Sequence, residues 1–151
     1  MEKVVVKDLS EYILSNFEDV YEIDSWGEKS YFYNPGKVKP RGSYFCTMKE
    51  KDGDNDKASG LDREDVFRFN FGVSKEVFKE LFSEIPARPG KGGIIEGLYN
   101  FTEIDILTPH PIYGWMCWIA ILNPSQESFN SLQSLLKESY GRIKKKHDAK
   151  I

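Results

Sequence analysis

Between residues 20 and 48, three short runs rich in aromatic and β-branched side chains follow one another with only turn signals between them. They are Val20 to Ile23, Ser30 to Tyr33 and Tyr44 to Met48, separated by the Trp26-Gly27 turn and by the Pro/Gly loop 35 to 42. Period-two alternation broken only by turn residues is the pattern of strands joined in a meander. It excludes a doubly wound parallel sheet, whose strands need crossover helices between them. A fourth run sets Val66, Arg68 and Asn70 against Phe67, Phe69 and Phe71, so one face of that strand is aromatic and the other carries polar groups. Trp115 to Leu122 is apolar enough for a central strand, and Glu103 to Leu107 reads as a further short one.

Helical spacing appears in three places. Leu9, Tyr12, Ile13 and Phe17 recur on one stripe between Asp8 and Phe17, with Asp8 and Glu11 at the spacing of a capping box. Ser74 caps a helix whose stripe is Val77, Phe78, Leu81 and Phe82 and which ends before Pro86. Asn123-Pro124 reads as an N-cap followed by proline at the first position of a last helix, with stripe Phe129, Leu132, Leu136, Tyr140 and Ile143. This order predicts one α+β domain over residues 1–151, a mainly antiparallel sheet packed against N-terminal and C-terminal helices. Ten Phe, eight Tyr and three Trp supply the core and exclude a disordered chain. Residues 50–61 and 86–98 read as flexible loops.

Lys and Arg number 21 against 24 Asp and Glu, a net charge of −3 that disfavours tight nonspecific binding to a phosphate backbone. The charge is uneven, however. Lys37, Lys39, Arg41 and Lys49 occupy residues 35–49 without an acid, and residues 137–151 hold six bases, Arg142, Lys144, Lys145, Lys146 and Lys150 among them, against Glu138 and Asp148. A nucleic-acid footprint needs both stretches on one side of the fold; otherwise the terminal cations simply complement a helix dipole. Cys46 and Cys117 sit in apolar runs without a CxxC partner, which reads as two buried free thiols in a reducing compartment. The N-terminus lacks a secretory core and no apolar run approaches the ~18 residues of a membrane span, so a cytoplasmic location away from membranes is expected. Nothing in the sequence sets an oligomeric state.

One segment combines the residue types that chemistry needs. Asp52, Asp54 and Asp56 start like a calcium loop, but Lys57 stands where the turn needs glycine and Arg63 where a bidentate glutamate is needed, so the stretch reads as a solvated acidic loop and no metal is expected. The GKGG at 90–93 lacks phosphate-loop spacing, and no cofactor or catalytic motif is present. In TPHPIYGW, prolines flank His110, and Tyr113 and Trp115 follow. A held imidazole beside two amphipathic aromatics suits a small polar or anionic ligand, with Arg68 and Asn70 as polar companions. The bland alternative leaves His110 bonded to a loop carbonyl, Arg68 solvated or paired with Asp62 or Glu64, and Trp26, Tyr31, Phe32 and Tyr33 in the core. The chain therefore reads as a binding module with a cleft at Arg68, Asn70, His110, Tyr113 and Trp115. Two alternatives are a DNA-binding protein using Lys37, Lys39, Arg41, Arg142, Lys144, Lys145 and Lys146, and a small enzyme using His110 as general base.

The segments DREDVFRFNFGVSKEVFKELF at 62–82 and PHPIYGWMCWIAILNPSQESFNSL at 109–132 resemble an uncharacterised bacterial family of unknown function. That resemblance marks Arg68, Asn70, His110, Tyr113 and Trp115 as motif positions and implies no activity. The layout is more distantly similar to the MmcQ/YjbR family: an N-terminal helix, Trp26-Gly27 before an aromatic strand, a strand feeding a helix, and a late tryptophan-containing strand before the closing helix. This similarity implies a CyaY-like fold and DNA binding through a double wing. The acidic stretch 50–65 and the negative net charge depart from it.

Overall fold

The computed structural model describes residues 3–149. Six strands form one antiparallel sheet in the order β1-β2-β3-β4-β6-β5: β1 Val20–Ser25, β2 Glu28–Tyr33, β3 Ser43–Lys49, β4 Arg68–Gly72, β5 Thr108–Pro109 and β6 Trp118–Leu122. Three helices, α1 Val6–Asn16, α2 Lys75–Phe82 and α3 Gln126–Asp148, complete the α+β fold that the order of apolar patterns predicts. β1 to β3 are the meander read from the turn spacing, and β4 lies at the centre between β3 and β6.

Helices cover one face of the sheet. Tyr31, Tyr33, Met48, Phe69, Phe71, Ile119 and Ile121 meet Leu9 and Ile13 of α1, Phe78 of α2, and Phe129, Leu132 and Leu136 of α3 in one core. A register shift between Tyr31 and Phe32 places Phe45 and Cys46, neighbours in sequence, both in that core. Each fully buried Phe contributes roughly 1.5–3 kcal/mol, so Phe69 and Phe71 lock β4 to the helices and turn Arg68 and Asn70 to the opposite face. That second face is closed by irregular chain. Ser59 and Leu61 of the 50–66 segment are buried, and Ile104, Thr108 and Pro109 pair with β6.

Several local expectations are corrected. Asp8 is the third residue of α1, where its carboxylate accepts from the Val5 N–H at 3.5 Å, so it is not the residue that starts the helix. α3 is capped by Ser125, whose hydroxyl accepts from the Ser128 N–H at 3.1 Å. Asn123 cannot serve there because its amide bridges the Phe67 N–H and the Asp65 carbonyl. The apolar run from Trp115 begins with a 3-10 turn, Gly114–Met116, closed by Cys117 at φ 66°, and only its second half is strand. Glu103 to Leu107 contributes a single bridge, Ile104 to Leu122, rather than a strand. Trp26 is 90% exposed at a hairpin tip and not in the core. The acidic loop is folded down, with Asp52 accepting from the Leu61 N–H at 2.8 Å and donating its own N–H to Asp62 at 3.0 Å. Ile95 likewise anchors the 86–98 segment, buried and bonded to the Pro111 carbonyl at 2.8 Å. Cys46 and Cys117 are free and buried. Among the described residues, no helix is long and apolar enough to cross a membrane. Lys150 lies outside the described residues.

Candidate functional site

Arg68 is only 1% exposed although it sits on the non-helical face, so its charge needs a full set of partners. It has them. Nη1 donates to Asp56 Oδ1 at 2.8 Å and to Ser59 Oγ at 3.0 Å, and Nη2 donates to Asp56 Oδ2. Nε donates to Asn70 Oδ1 at 2.7 Å, and the remaining Nη2 position faces His110 Nε2 at 3.1 Å. Asn70 in turn donates to Thr47 Oγ1 at 2.9 Å, across the register pair that β3 and β4 set between them. Four of the five guanidinium N–H directions thus meet acceptors, two of them on a bidentate carboxylate, and the fifth faces His110 Nε2. Burial alone would raise the Asp56 carboxyl, but hydrogen bonds and charge from Arg68 bring it below the ordinary carboxylate value.

His110 follows β5 directly, held by its own N–H to the Trp118 carbonyl at 2.9 Å and 4% exposed. Its Nδ1 accepts from the Ile112 and Tyr113 N–H groups, both at 3.1 Å. Nδ1 therefore faces two donors and Nε2 a third. With Nδ1 accepting, the neutral ring carries its proton on Nε2, towards Arg68, and an imidazolium would in addition set an N–H against the two backbone donors. Burial, with the Arg68 charge second and only Asp56 opposing, drives the imidazole pKa down to about 3.

Of the residues the sequence singled out, Arg68, Asn70 and His110 converge. Tyr113 leans on the His110 ring at a centroid distance of 5.1 Å and is 48% exposed. Trp115 is engaged by Arg88, whose guanidinium lies 4.7 Å from its ring centroid. The pairing expected with Asp62 or Glu64 is made with Asp56 instead. The space beside Arg68, lined by Ser59, Phe101, Ile106 and Thr108, has no room for a water-sized molecule. Asp56, Ser59 and Thr47 were missed by sequence reasoning. A buried arginine demands a carboxylate, and Asp56 in DGDND was available, but only the folded loop shows which acid reaches it.

The basic stretches form a second group. The 35–42 loop is clamped by Asn34, which donates to the Lys39 carbonyl at 2.7 Å and accepts from its N–H at 3.2 Å. Lys37 lies 4.5 Å over the Tyr21 ring, and Tyr44, tilted against Phe32 at a centroid distance of 4.4 Å, is 51% exposed one strand beyond it. At the base of this loop Tyr33 meets His147 of α3 at 5.3 Å and Tyr140 at 5.6 Å, so the loop and the last turns of α3 share one end of the molecule. Lys37, Lys39, Arg41, Lys144, Lys145 and Lys146 are all exposed on these two segments. Glu18, Asp19 and Asp148 lie near the same tyrosines. Arg142 is on the other flank, where its charge and those of Lys75 and Lys79 act against the burial that raises the Cys117 thiol.

Residues 4–151 match the model described as a family of unknown function, DUF6194. A stretch of 82 residues is 34% identical to a Candida dubliniensis protein named mitochondrial 15S rRNA processing factor, a match that takes in 53% of this chain and 10% of that protein. The chain thus spans about a tenth of the curated relative it matches. No solved structure matches.

Proposed function

The chain belongs to the DUF6194 family, and we propose that it is a binding module for single-stranded nucleic acid, which it holds at the end of the sheet where the 35–42 loop meets α3. The contact of Tyr33 with His147 carries this reading, because it brings together two basic stretches about a hundred residues apart in sequence. Lys37, Lys39, Arg41 and Lys144 supply phosphate contacts, while half-exposed Tyr44 supplies a face for an unstacked base. The negative net charge resides elsewhere, in the acidic 50–65 segment above all. The distant resemblance to the MmcQ/YjbR family implies DNA as a ligand, and the rRNA-processing name of the partial relative adds RNA to the probes.

Anisotropy of labelled single-stranded RNA, single-stranded DNA and duplex DNA tests it. Four phosphate contacts on a single strand predict about a fifty-fold loss of affinity between about 50 and about 200 mM salt. Paired Lys39→Glu and Lys144→Glu substitutions should remove most binding and flatten that slope. No binding at the lower salt, or binding indifferent to the substitutions, overturns the proposal. A small ligand against Arg68, Asn70, His110, Tyr113 and Trp115 has less support, since four of the five Arg68 N–H groups are on protein acceptors and the fifth is buried against His110. General-base catalysis needs an imidazole that reaches substrate, and His110 is 4% exposed.

A further inference from the structure

A groove of about 580 Å³ runs between the segment entering α1 and the chain leading into β4. Its volume is within the range of small-molecule sites. Val4, Val66 and Phe67 are its buried apolar lining, with Val5 half-exposed among them. Around them stand Lys3, Lys7 and Arg63 against Glu50 and Asp65. None of these five charges is in an ion pair, since the salt bridges among the described residues are Lys29–Asp24 and Arg68–Asp56.

Arg63 is the built element. Its Nε donates to the Gly60 carbonyl at 2.7 Å, and Nη2 donates to the carbonyls of Ser59 at 3.0 Å and Thr102 at 2.9 Å. Three backbone acceptors fix the guanidinium plane and leave the two N–H groups of Nη1 without a partner among the described residues, on a side chain that lines the groove. The rest of the same wall is equally fixed. The Asn123 side chain accepts from the Phe67 N–H at 2.9 Å and donates to the Asp65 carbonyl at 2.7 Å, and Asp65 is held at φ 57°. Preorganised donors over an apolar floor bind with little ordering cost. Three bases and two acids leave the rim at +1, which suits a monoanion and opposes a doubly charged phosphate.

We infer that this groove binds an amphiphilic organic carboxylate, its head on Arg63 Nη1 and Lys7 and its hydrocarbon body on Val4, Val66 and Phe67. Calorimetric titration of the intact protein with decanoate, decylammonium and decanol, below their micellar concentrations, tests this. Decanoate should bind, and decylammonium and decanol should bind at least tenfold more weakly. Arg63→Gln should lose decanoate binding, but its side chain also ties three loop carbonyls together. Lys7→Glu is therefore the decisive variant, because an exposed acid in the first turn of α1 suits the helix dipole. It should weaken decanoate at least tenfold with an unchanged melting temperature. Equal binding of the three probes, no heat with decanoate, or undiminished binding to Lys7→Glu overturns the inference.

Discussion

Acidification from pH 7.5 to 5 should destabilise this protein through His110 alone, and the size of the loss follows from the site. The imidazole faces Arg68 on one nitrogen and two backbone donors on the other, and its folded pKa lies near 3. An unfolded histidine titrates near 6.5. Because the folded value is the lower, the unfolded chain binds a proton that the folded one refuses between these two values, and stability rises with pH across the window. The His110 contribution is complete above about pH 7 and falls as pH drops below about 6.5. Integrating the linkage relation from pH 7.5 to 5 gives about 2 kcal/mol, a figure that hardly changes with how far below 5 the folded value lies. Asp56 acts in the same direction, since its carboxyl is also lowered, but its loss comes at lower pH, as the acid approaches the ordinary carboxylate range and below.

His110→Asn is the control, because an asparagine carbonyl can accept the same two N–H groups, two and three residues on, without titrating. Urea unfolding at pH 7.5, 6.5, 5.5 and 5 should show the wild type losing about 2 kcal/mol more than the variant over the range. Parallel curves would refute the reasoning, since they mean that the ring accepts a proton in the folded state.

Removing the carboxylate from the same cluster with Asp56→Ala should cost about 3–5 kcal/mol, the usual result of leaving a buried charge unpaired; a loss under about 1 kcal/mol would mean that water reaches Arg68. Trp26→Asn should gain stability. Trp26 and Gly27 stand at φ 52° and 79° between the paired Ser25 and Glu28, a type I′ turn in which Asn-Gly is favoured and a bulky aromatic costs about 1 kcal/mol. A rise of a few degrees in melting temperature checks it, and a fall would show that the indole packs against the protein in solution.

How much of this the sequence disclosed depended on how far each cause reaches along the chain. Ser74 as a cap, the Phe69 and Phe71 alternation, the Trp26-Gly27 turn and the stripe of α3 depend on residues a few positions apart, and period and propensity expose them. The convergence of Arg68, Asn70 and His110 was legible only in outline, from a polar strand face and a proline-held histidine. Its partner Asp56 was not, because the 50–66 segment reaches Arg68 through a fold-back set by Asp52, Asp62 and Leu61. Asn123 misled for a related reason. Asn-Pro is a good helix start in isolation, but here the amide is already committed to the chain entering β4. Trp26 misled because tryptophan statistics describe cores, whereas a two-residue hairpin turn points its side chain into solvent whatever its hydrophobicity.

The same accounting separates structural from functional polar groups. A group can serve a ligand only with donors or acceptors that the fold has left free, so polarity and convergence do not by themselves identify a site. Arg68, buried with four N–H groups on protein acceptors and the fifth against His110, holds the irregular chain to the second face of the sheet. Arg63 is less buried yet differently placed, since three carbonyls orient its guanidinium and its side chain lines an apolar groove. Lys39 is the third case, its backbone clamped by Asn34 while its ammonium projects into solvent. Binding is therefore to be sought at the rim of the sheet, where charges are positioned by backbone contacts and left unpaired. The centre, where the sequence concentrates its most distinctive residues, is where they neutralise one another.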